Sequence, residues 1–316
     1  MTTEQVDVSL IVISLNSKNY LRGCIDSILS AEWKNIRYEI VVTDNGSTDG
    51  TLEMLTDTYP QVQVMAHGKN LGFCKASNIA AVESIGRYLM FLNDDILILD
   101  DAIAKLVEWM DLHPEVGAIG SRLLNIDGTD QNSSGRTWPT PMNAIFGRKS
   151  LLTKLFPNAK WARQYLLSAR TNEDEPYKVD WLSAAALMVR RGPYEAAARL
   201  DESFYYFHEL VFCRRLEKAG YPSYLHPQSK IMHYEGAGSG LRTLRVRRKH
   251  VIAFHQGAYR WYCGHSELSP YNPLRLVVAA MLTARAALLV CIEYGRSWTY
   301  REKSVAETRP EGGTAL

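Results

Sequence analysis

Cysteine is scarce in this chain, and its placing excludes more than its number. Five are scattered over 316 residues, Cys24, Cys74, Cys213, Cys263 and Cys291, and no two form a CxxC pair. An odd, dispersed set argues against a zinc ribbon or a disulfide framework and fits a reducing cytosol. Charge of one sign is missing too. The formal net charge is +2, so global electrostatics names no partner, and nucleic acid is not an expected one. No internal repeat is visible. Met1 to Val6 is polar and acidic and lacks the charged-then-apolar order of a secretion signal, so a chain that is not secreted is expected.

What is present is an ordinary globular balance, 46% hydrophobic and 22% charged. The length suits one large domain or two ordinary ones. Arg242, Arg245, Arg247, Arg248 and Lys249 form a short basic run. It reads as a solvated helix face, or as a contact for a pyrophosphate or an anionic membrane surface. Leu274 to Ile292 is nearly all apolar and about long enough to span a bilayer. Arg275 and Arg285 interrupt it, and a mid-span arginine costs roughly 3 kcal/mol on insertion scales. An amphipathic helix lying on a membrane or packed on a partner is therefore the favoured expectation, ahead of a core helix or a true span. The segment beyond Thr308 is small and polar and is expected to be disordered.

The first third alternates strands and helices. Val8 to Leu15 is a β-branched apolar run, as in a strand buried on both faces. Helical spacing follows from Tyr20 to Leu29, and Tyr38 to Thr43 reads as a second strand that ends in DNGSTDG, a loop of turn formers. Then come a helix at Thr51 to Thr58, a strand at Val62 to Ala66 and a helix at Phe73 to Ser84. Arg87 to Asn93 is a fourth strand, and Asp101 to Leu112 a helix expected to be capped by its opening acid. Short strands separated by helices imply a parallel sheet, whose ligands bind beyond the carboxyl ends of the strands. Polar clusters stand at those ends: Leu15-Asn16, Asp44-Asn45-Gly46-Ser47 and Asn93-Asp94-Asp95. Beyond this, Asn125 to Pro141 reads as a loop or hairpin, Ala159 to Tyr177 as a helix and charged loop, and Trp181 to Arg190 as a buried element. Glu209 to Ala219 reads as a helix stopped by Gly220.

Taken singly, these clusters are ambiguous. Asp94 and Asp95 suit Mg2+ or Mn2+ held together with substrate phosphates, or a helix-capping acid pair. Asp44 could accept the imide N–H of a uracil or thymine base, or close an Asx-turn.

Four blocks in order, VSLIVISLN, IVVTDNGSTDGT, NLGFCKASNIA and GRYLMFLNDD, resemble the family 2 glycosyltransferases of GT-A fold. LLNIDGTDQNSSGRTWPTP, WLSAAALMVRR and FYYFHELVFCRRLEKAGY resemble the branch that adds rhamnose and related sugars to bacterial surface polysaccharides. The resemblance covers about residues 7 to 260. It implies an α/β fold with a mostly parallel central sheet flanked by helices. The GT-A domain would span 1–240, with a nucleotide-sugar half at about 7–120 and an acceptor half at about 121–240. A basic, amphipathic helical extension would follow at 241–316.

It also implies roles. Asp44 would read the donor base, and Asn16, Asn70, Gly72, Lys75 and Asp94 would line the donor site. Asp95 would be the main metal-coordinating acid, with His233 of HYEGAGSG an extra ligand to metal or diphosphate. Trp181, Ser183 and Trp138 would face the acceptor sugar, and Tyr205 and Tyr206 could stack on one. The family's general base lies in an acidic pair. Here the chain reads Phe207-His208-Glu209-Leu210-Val211-Phe212-Cys213, so His208 stands at the first acid, Glu209 keeps the second and Val211 replaces a third. Glu209 is the expected base and His208 its rival.

The implied activity is inverting transfer from a dTDP- or UDP-sugar, L-rhamnose being favoured, to a saccharide or polyprenyl-linked acceptor. The setting would be the cytoplasmic face of the cell membrane; a homodimer is left open. The altered acidic segment keeps a second reading, a nucleotide-sugar-binding or scaffold protein that has lost catalysis. A nucleotidyltransferase is disfavoured, because no Gly-rich basic loop precedes Asn16.

Overall fold

The computed structural model describes residues 5–139, 173–234, 244–265 and 269–307. Most of the helix expected at 159–177, the glycine loop after Tyr234 and the tail from Thr308 lie outside the described residues. The chain forms two compact units, residues 1–204 with 208–239, and residues 205–207 with 240–316.

The larger unit is built on a nine-stranded sheet. Its first half is parallel: β1 (Val8–Ser14) pairs with β2 (Tyr38–Asp44) on one side and β4 (Tyr88–Asn93) on the other, and β3 (Gln63–Ala66) extends it beyond β2. The four strands expected from the sequence thus share one sheet. Leu10, Ile11 and Val12 are fully buried, as a run apolar on both faces requires. The connecting helices α1 (Lys18–Ser30), α2 (Thr51–Thr58), α3 (Phe73–Glu83) and α4 (Ala102–Leu112) follow their 3.6-residue stripes. In α1, Leu21, Cys24, Ile25 and Ile28 face the core. Asp101 precedes α4 but makes no side-chain cap; Lys105, one turn on, draws its carboxylate away.

The second half of the sheet is mixed. β5 (Ile96–Ile98) follows β4 closely, and β6 (Ala118–Leu124) comes after α4. β7 (Gly135–Arg136) pairs with β9 (Trp181–Leu182) in a separate two-stranded ribbon, and β8 (Tyr177–Val179) lies at the sheet's edge. β10 (Ala186–Arg190) runs antiparallel between β4 and β6. The short α5 (Arg191–Ala196) and α6 (His208–Lys218) follow, and Gly220 ends the latter's turn at φ 88°. β11 (Ser223–His233) had no counterpart in the sequence reading. Its burial alternates, but Ser223, Pro227, Ser229 and His233 occupy inward positions, so the residue types lack the apolar alternation that marks a strand, and the register shifts between His226 and Lys230.

Because the order is β3-β2-β1-β4, the chain reverses direction across the sheet between β1 and β4. That switch point opens a crevice at the carboxyl ends of both strands.

The smaller unit contains two long helices, α7 (Leu244–His265) and α8 (Leu274–Glu307). Arg247 pairs with Glu293 at 3.3 Å, Arg285 approaches His255 at 3.2 Å, and Arg275 donates to the Cys263 carbonyl at 3.0 Å. These contacts make an antiparallel hairpin and turn both intruding arginines towards α7. The opposite face of α8 exposes Leu276, Val277, Met281 and Leu288. Over Leu274–Tyr294 the helix is long and apolar enough to cross a membrane, with a mean hydropathy of 2.1. In the same unit Tyr205 and Tyr206 pack edge-on to each other and to His250.

Gly86 introduces β4 where the backbone passes β1. A Cβ there would lie 2.5 Å from the Ser9 nitrogen and 2.8 Å from the Val8 carbonyl carbon. Gly86→Ala is expected to lower stability by about 1–3 kcal/mol in urea unfolding. Gly192→Ala, whose Cβ meets nothing within 4 Å, should leave the midpoint nearly unchanged.

Candidate functional site

The ends of β1, β2 and β4 are tied together by side chains that the turn-forming residues supply. Asn16, at φ 53°, accepts from the Thr48 backbone at 2.8 Å, and its own N–H donates to the Ser47 hydroxyl at 2.9 Å. The Lys18 N–H donates to Asp49 at 3.0 Å. These bonds lock the β1 loop onto the β2 loop.

Asp44 is fully buried at the end of β2. Its Oδ2 accepts from the Gly46 and Ser47 N–H groups at 3.1 and 3.0 Å, which is an Asx-turn. The turn thus occupies one oxygen of the carboxylate, and no donor among the described residues reaches the other, Oδ1. Gly46, at φ 85°, lets this loop meet the next one; a Cβ would stand 2.8 Å from the Lys69 nitrogen. Asn45 fastens that second loop by accepting from Leu71 N–H at 3.3 Å. Asn70, exposed, accepts from Gly72 N–H at 2.8 Å, and Gly72 at φ 81° opens α3. Lys75 is exposed one turn further on.

The two acids after β4 part company. Asp94 turns inward, where the Ser17 hydroxyl donates to it and Ser14 follows at 3.1 Å from Ser17. Burial pushes the Asp94 carboxyl up to about 6, the Ser17 bond opposing and the Asp95 charge adding to the rise. Asp95, 5% exposed, turns towards β11, where His233 Nε2 lies 3.3 Å from its Oδ1. Asn93 Nδ2 is also 3.3 Å from Nε2, and Gln131 Oε1 is 3.0 Å from Nδ1. Among the described residues no group of three or more His, Cys, Asp or Glu side chains could hold a metal alone. Asp95 and His233 nonetheless fit half of such a site: cis ligands at about 2.1 Å from one cation stand roughly 3 Å apart.

The remaining wall is α6. Phe73, first in α3, packs on the His208 ring at 4.9 Å, and Cys74 Sγ lies 3.6 Å from the Phe204 carbonyl. His208 Nδ1 and Glu209 Oε2 are 3.5 Å apart in the first turn of α6, where the helix dipole favours an anion. Val211 is buried, so an apolar side chain suits the position. Burial pushes the neighbouring Cys213 thiol up to about 12, leaving it unreactive. Asn78 anchors the segment before α6. Its amide donates to the Leu200 carbonyl and to Glu202, both at 3.0 Å, and accepts from the Tyr194 hydroxyl at 2.6 Å.

Of the residues expected to face an acceptor, Trp181 is buried with its N–H on the Thr137 carbonyl at 3.0 Å and the Arg136 guanidinium 4.5 Å from its ring. Trp138 is half-buried with Arg214 at 5.3 Å, and Ser183 donates its N–H to the Ser134 carbonyl at 2.9 Å. Gln131 and Asn78 were not singled out in the sequence. The first lies in a stretch that reads only as a polar loop, the second in a helix that reads only as amphipathic.

Comparison with known proteins follows this geometry. The chain is 26% identical over 271 residues to the N-acetylglucosaminyl-diphospho-decaprenol L-rhamnosyltransferase of Mycobacterium tuberculosis, covering 82% of this chain and 85% of that protein. Its fold is similar to a mannosyltransferase from Pyrobaculum calidifontis solved with GDP-Man and Mn2+. There the TM-score is 0.55 at 17% identity, over 94% of this chain and 84% of the other. It is similar as well to GalNAc-T7 solved with UDP, GalNAc and Mn2+, at TM-score 0.56 and 15% identity, over 89% and 55%. The model of the family "Glycosyl transferase family 2" matches residues 9–169, across the crevice-forming strands, and the chain is a glycosyltransferase of that family with a GT-A fold.

Proposed function

We propose that this enzyme transfers a sugar, L-rhamnose being favoured, from a dTDP- or UDP-linked donor to a lipid-linked or saccharide acceptor with inversion. The observation that carries the reading is the ring of contacts around the crevice. Asp95 meets His233, Asp94 meets Ser17, Asn16 meets Thr48, Asn45 meets Leu71, and Phe73 meets His208 beside Glu209. The ring supports the reading because it gathers a carboxylate–histidine pair and a His–Glu pair at the ends of the same strands. The rhamnosyltransferase relative supports the sugar and the acceptor class.

Asp44 Oδ1 would accept the base's imide N–H, while Oδ2 keeps the turn. Asp95 and His233 would hold Mg2+ or Mn2+, which supplies charge neutralisation to the departing diphosphate. Lys75, exposed on α3, would add positive charge beside the donor. Glu209 would take the acceptor hydroxyl's proton as its oxygen attacks the anomeric carbon opposite the leaving group. The rhamnosyltransferase relative is named for a decaprenol-linked substrate, and α8 exposes the apolar Leu276, Val277, Met281 and Leu288. Peripheral attachment to the cytoplasmic leaflet through that face belongs to the same reading.

A screen of nucleotide sugars for diphosphate release with a lipid-linked acceptor tests the activity. With the productive pair in hand, Glu209→Gln should lower kcat by roughly two to four orders of magnitude with donor binding intact. His208→Asn should be milder; the reverse ranking moves the base to His208. Donor binding without product for every acceptor would favour the scaffold reading.

Asp44→Asn keeps an oxygen for the Gly46 and Ser47 N–H groups but sets an amide where Oδ1 stood. Uridine or thymidine diphosphate should bind roughly 10–100-fold more weakly in calorimetry, the worth of a charge-assisted hydrogen bond, at an unchanged melting temperature. Equal affinity in the two proteins would remove Asp44 from base recognition.

Flotation with anionic liposomes tests attachment. The wild type should float, and Leu276→Asp combined with Leu288→Asp should stay in solution. Unchanged flotation of the double variant would exclude this face.

A further inference from the structure

We infer that Gln131 is a positioning residue that fixes which nitrogen of His233 carries the proton. The inference rests on reading Asp95 and His233 as the protein's share of a cation site, and the experiment below separates the failure of each.

Gln131 follows the turn after β6 and is only 4% exposed. Its Nε2 donates to the His233 backbone carbonyl at 2.6 Å, and its Oε1 lies 3.0 Å from His233 Nδ1. One residue therefore grips both the main chain and the ring of another that is 102 positions away. The orientation of its amide is not arbitrary. A backbone carbonyl can only accept, so the atom facing it must be the NH2 group. The other end is then the oxygen, and an oxygen facing Nδ1 requires that Nδ1 carry the hydrogen. In a neutral imidazole the proton on Nδ1 leaves a lone pair on Nε2.

Two groups face Nε2. Asn93 Nδ2, a donor at 3.3 Å, matches a lone pair there, whereas Asp95 Oδ1, an acceptor also at 3.3 Å, would by itself favour a proton, and Gln131 opposes it from the other nitrogen. Nε2 and a carboxylate oxygen are thus held side by side as two Lewis bases. The opposite tautomer would point an N–H at Asp95 and engage the carboxylate that a cation needs. Fixing the remote nitrogen so that the near one can ligate is a general device in metal sites. Here it would be supplied by a neutral amide, which selects the tautomer without adding a charge.

The test uses the full chain labelled with 15N-histidine, at about pH 8, where an ordinary imidazole is neutral. Long-range proton–nitrogen correlation spectra give the tautomer of His233, assigned by loss of its signals in His233→Asn. Mn2+ binding with uridine or thymidine diphosphate present is followed by the resonance of the free ion. Wild-type protein should show Nδ1–H. Gln131→Leu should lose that pattern and bind Mn2+ about 10–100-fold more weakly. Gln131→Glu keeps an acceptor opposite Nδ1 and should restore both the tautomer and most of the affinity. It also loses the bond to the His233 carbonyl, so a merely structural role would leave it as impaired as Gln131→Leu. An Nε2–H tautomer in the wild type overturns the inference, as does a Gln131→Leu protein with unchanged spectrum and affinity. If the spectra change as expected but His233→Asn and Asp95→Asn bind Mn2+ like wild type, the cation site fails while the tautomer assignment stands.

Discussion

Two carboxylates on consecutive residues at the mouth of a buried strand repel each other, and the rest of the crevice is arranged around how Asp94 and Asp95 avoid that repulsion. They form the turn between β4 and β5, and there they diverge. Asp94 goes inward, and Ser17 at the start of α1 supplies the hydrogen bond that makes its burial tolerable. Asp95 goes towards β11 and meets His233. The first contact fixes α1 against β4, and the second fixes the end of the last strand against the same point. A single pair of adjacent residues thereby couples the parallel half of the sheet to the mixed half.

The loops beyond β1 and β2 extend this order. Asx-type bonds at Asp44 and Asn16 satisfy backbone N–H groups that no strand or helix reaches. They also hold the two loops in one arrangement, which lowers the ordering cost of any ligand that binds there. The α6 helix, whose first turn carries His208 and Glu209, is held from the other side by Phe73 and by the Asn78 network. These contacts explain why a glycosyltransferase site assembled from five separate segments can be rigid.

The hairpin of α7 and α8 resolves a conflict in the sequence. Arg275 and Arg285 make Leu274 to Ile292 a poor membrane segment when the residues are counted in line. Folded, both guanidiniums turn to α7 and leave the other face apolar. Each guanidinium has a partner on α7, the Cys263 carbonyl for Arg275 and His255 for Arg285, although Arg285 stays exposed.

The sequence by itself determined the parallel half of the sheet, the helices that connect it and the three polar strand ends. Each of those depends on short-range patterns: β-branched runs, 3.6-residue stripes and turn formers at the breaks. The family resemblance could attach expected roles to positions because its motifs sit on those same segments. Tertiary structure decided the rest. β11 escaped notice because Ser223, Pro227, Ser229 and His233 stand at inward positions, so its period of two in burial has no apolar counterpart in the residue types. The direction of Asp94 and Asp95, the partnership of Asp95 with His233 and the grip of Gln131 on that histidine link residues far apart in the chain. Contacts of that kind leave no periodic trace in the residues that make them, and only the pairing of β5 and β6 with β11 brings them within reach of a hydrogen bond.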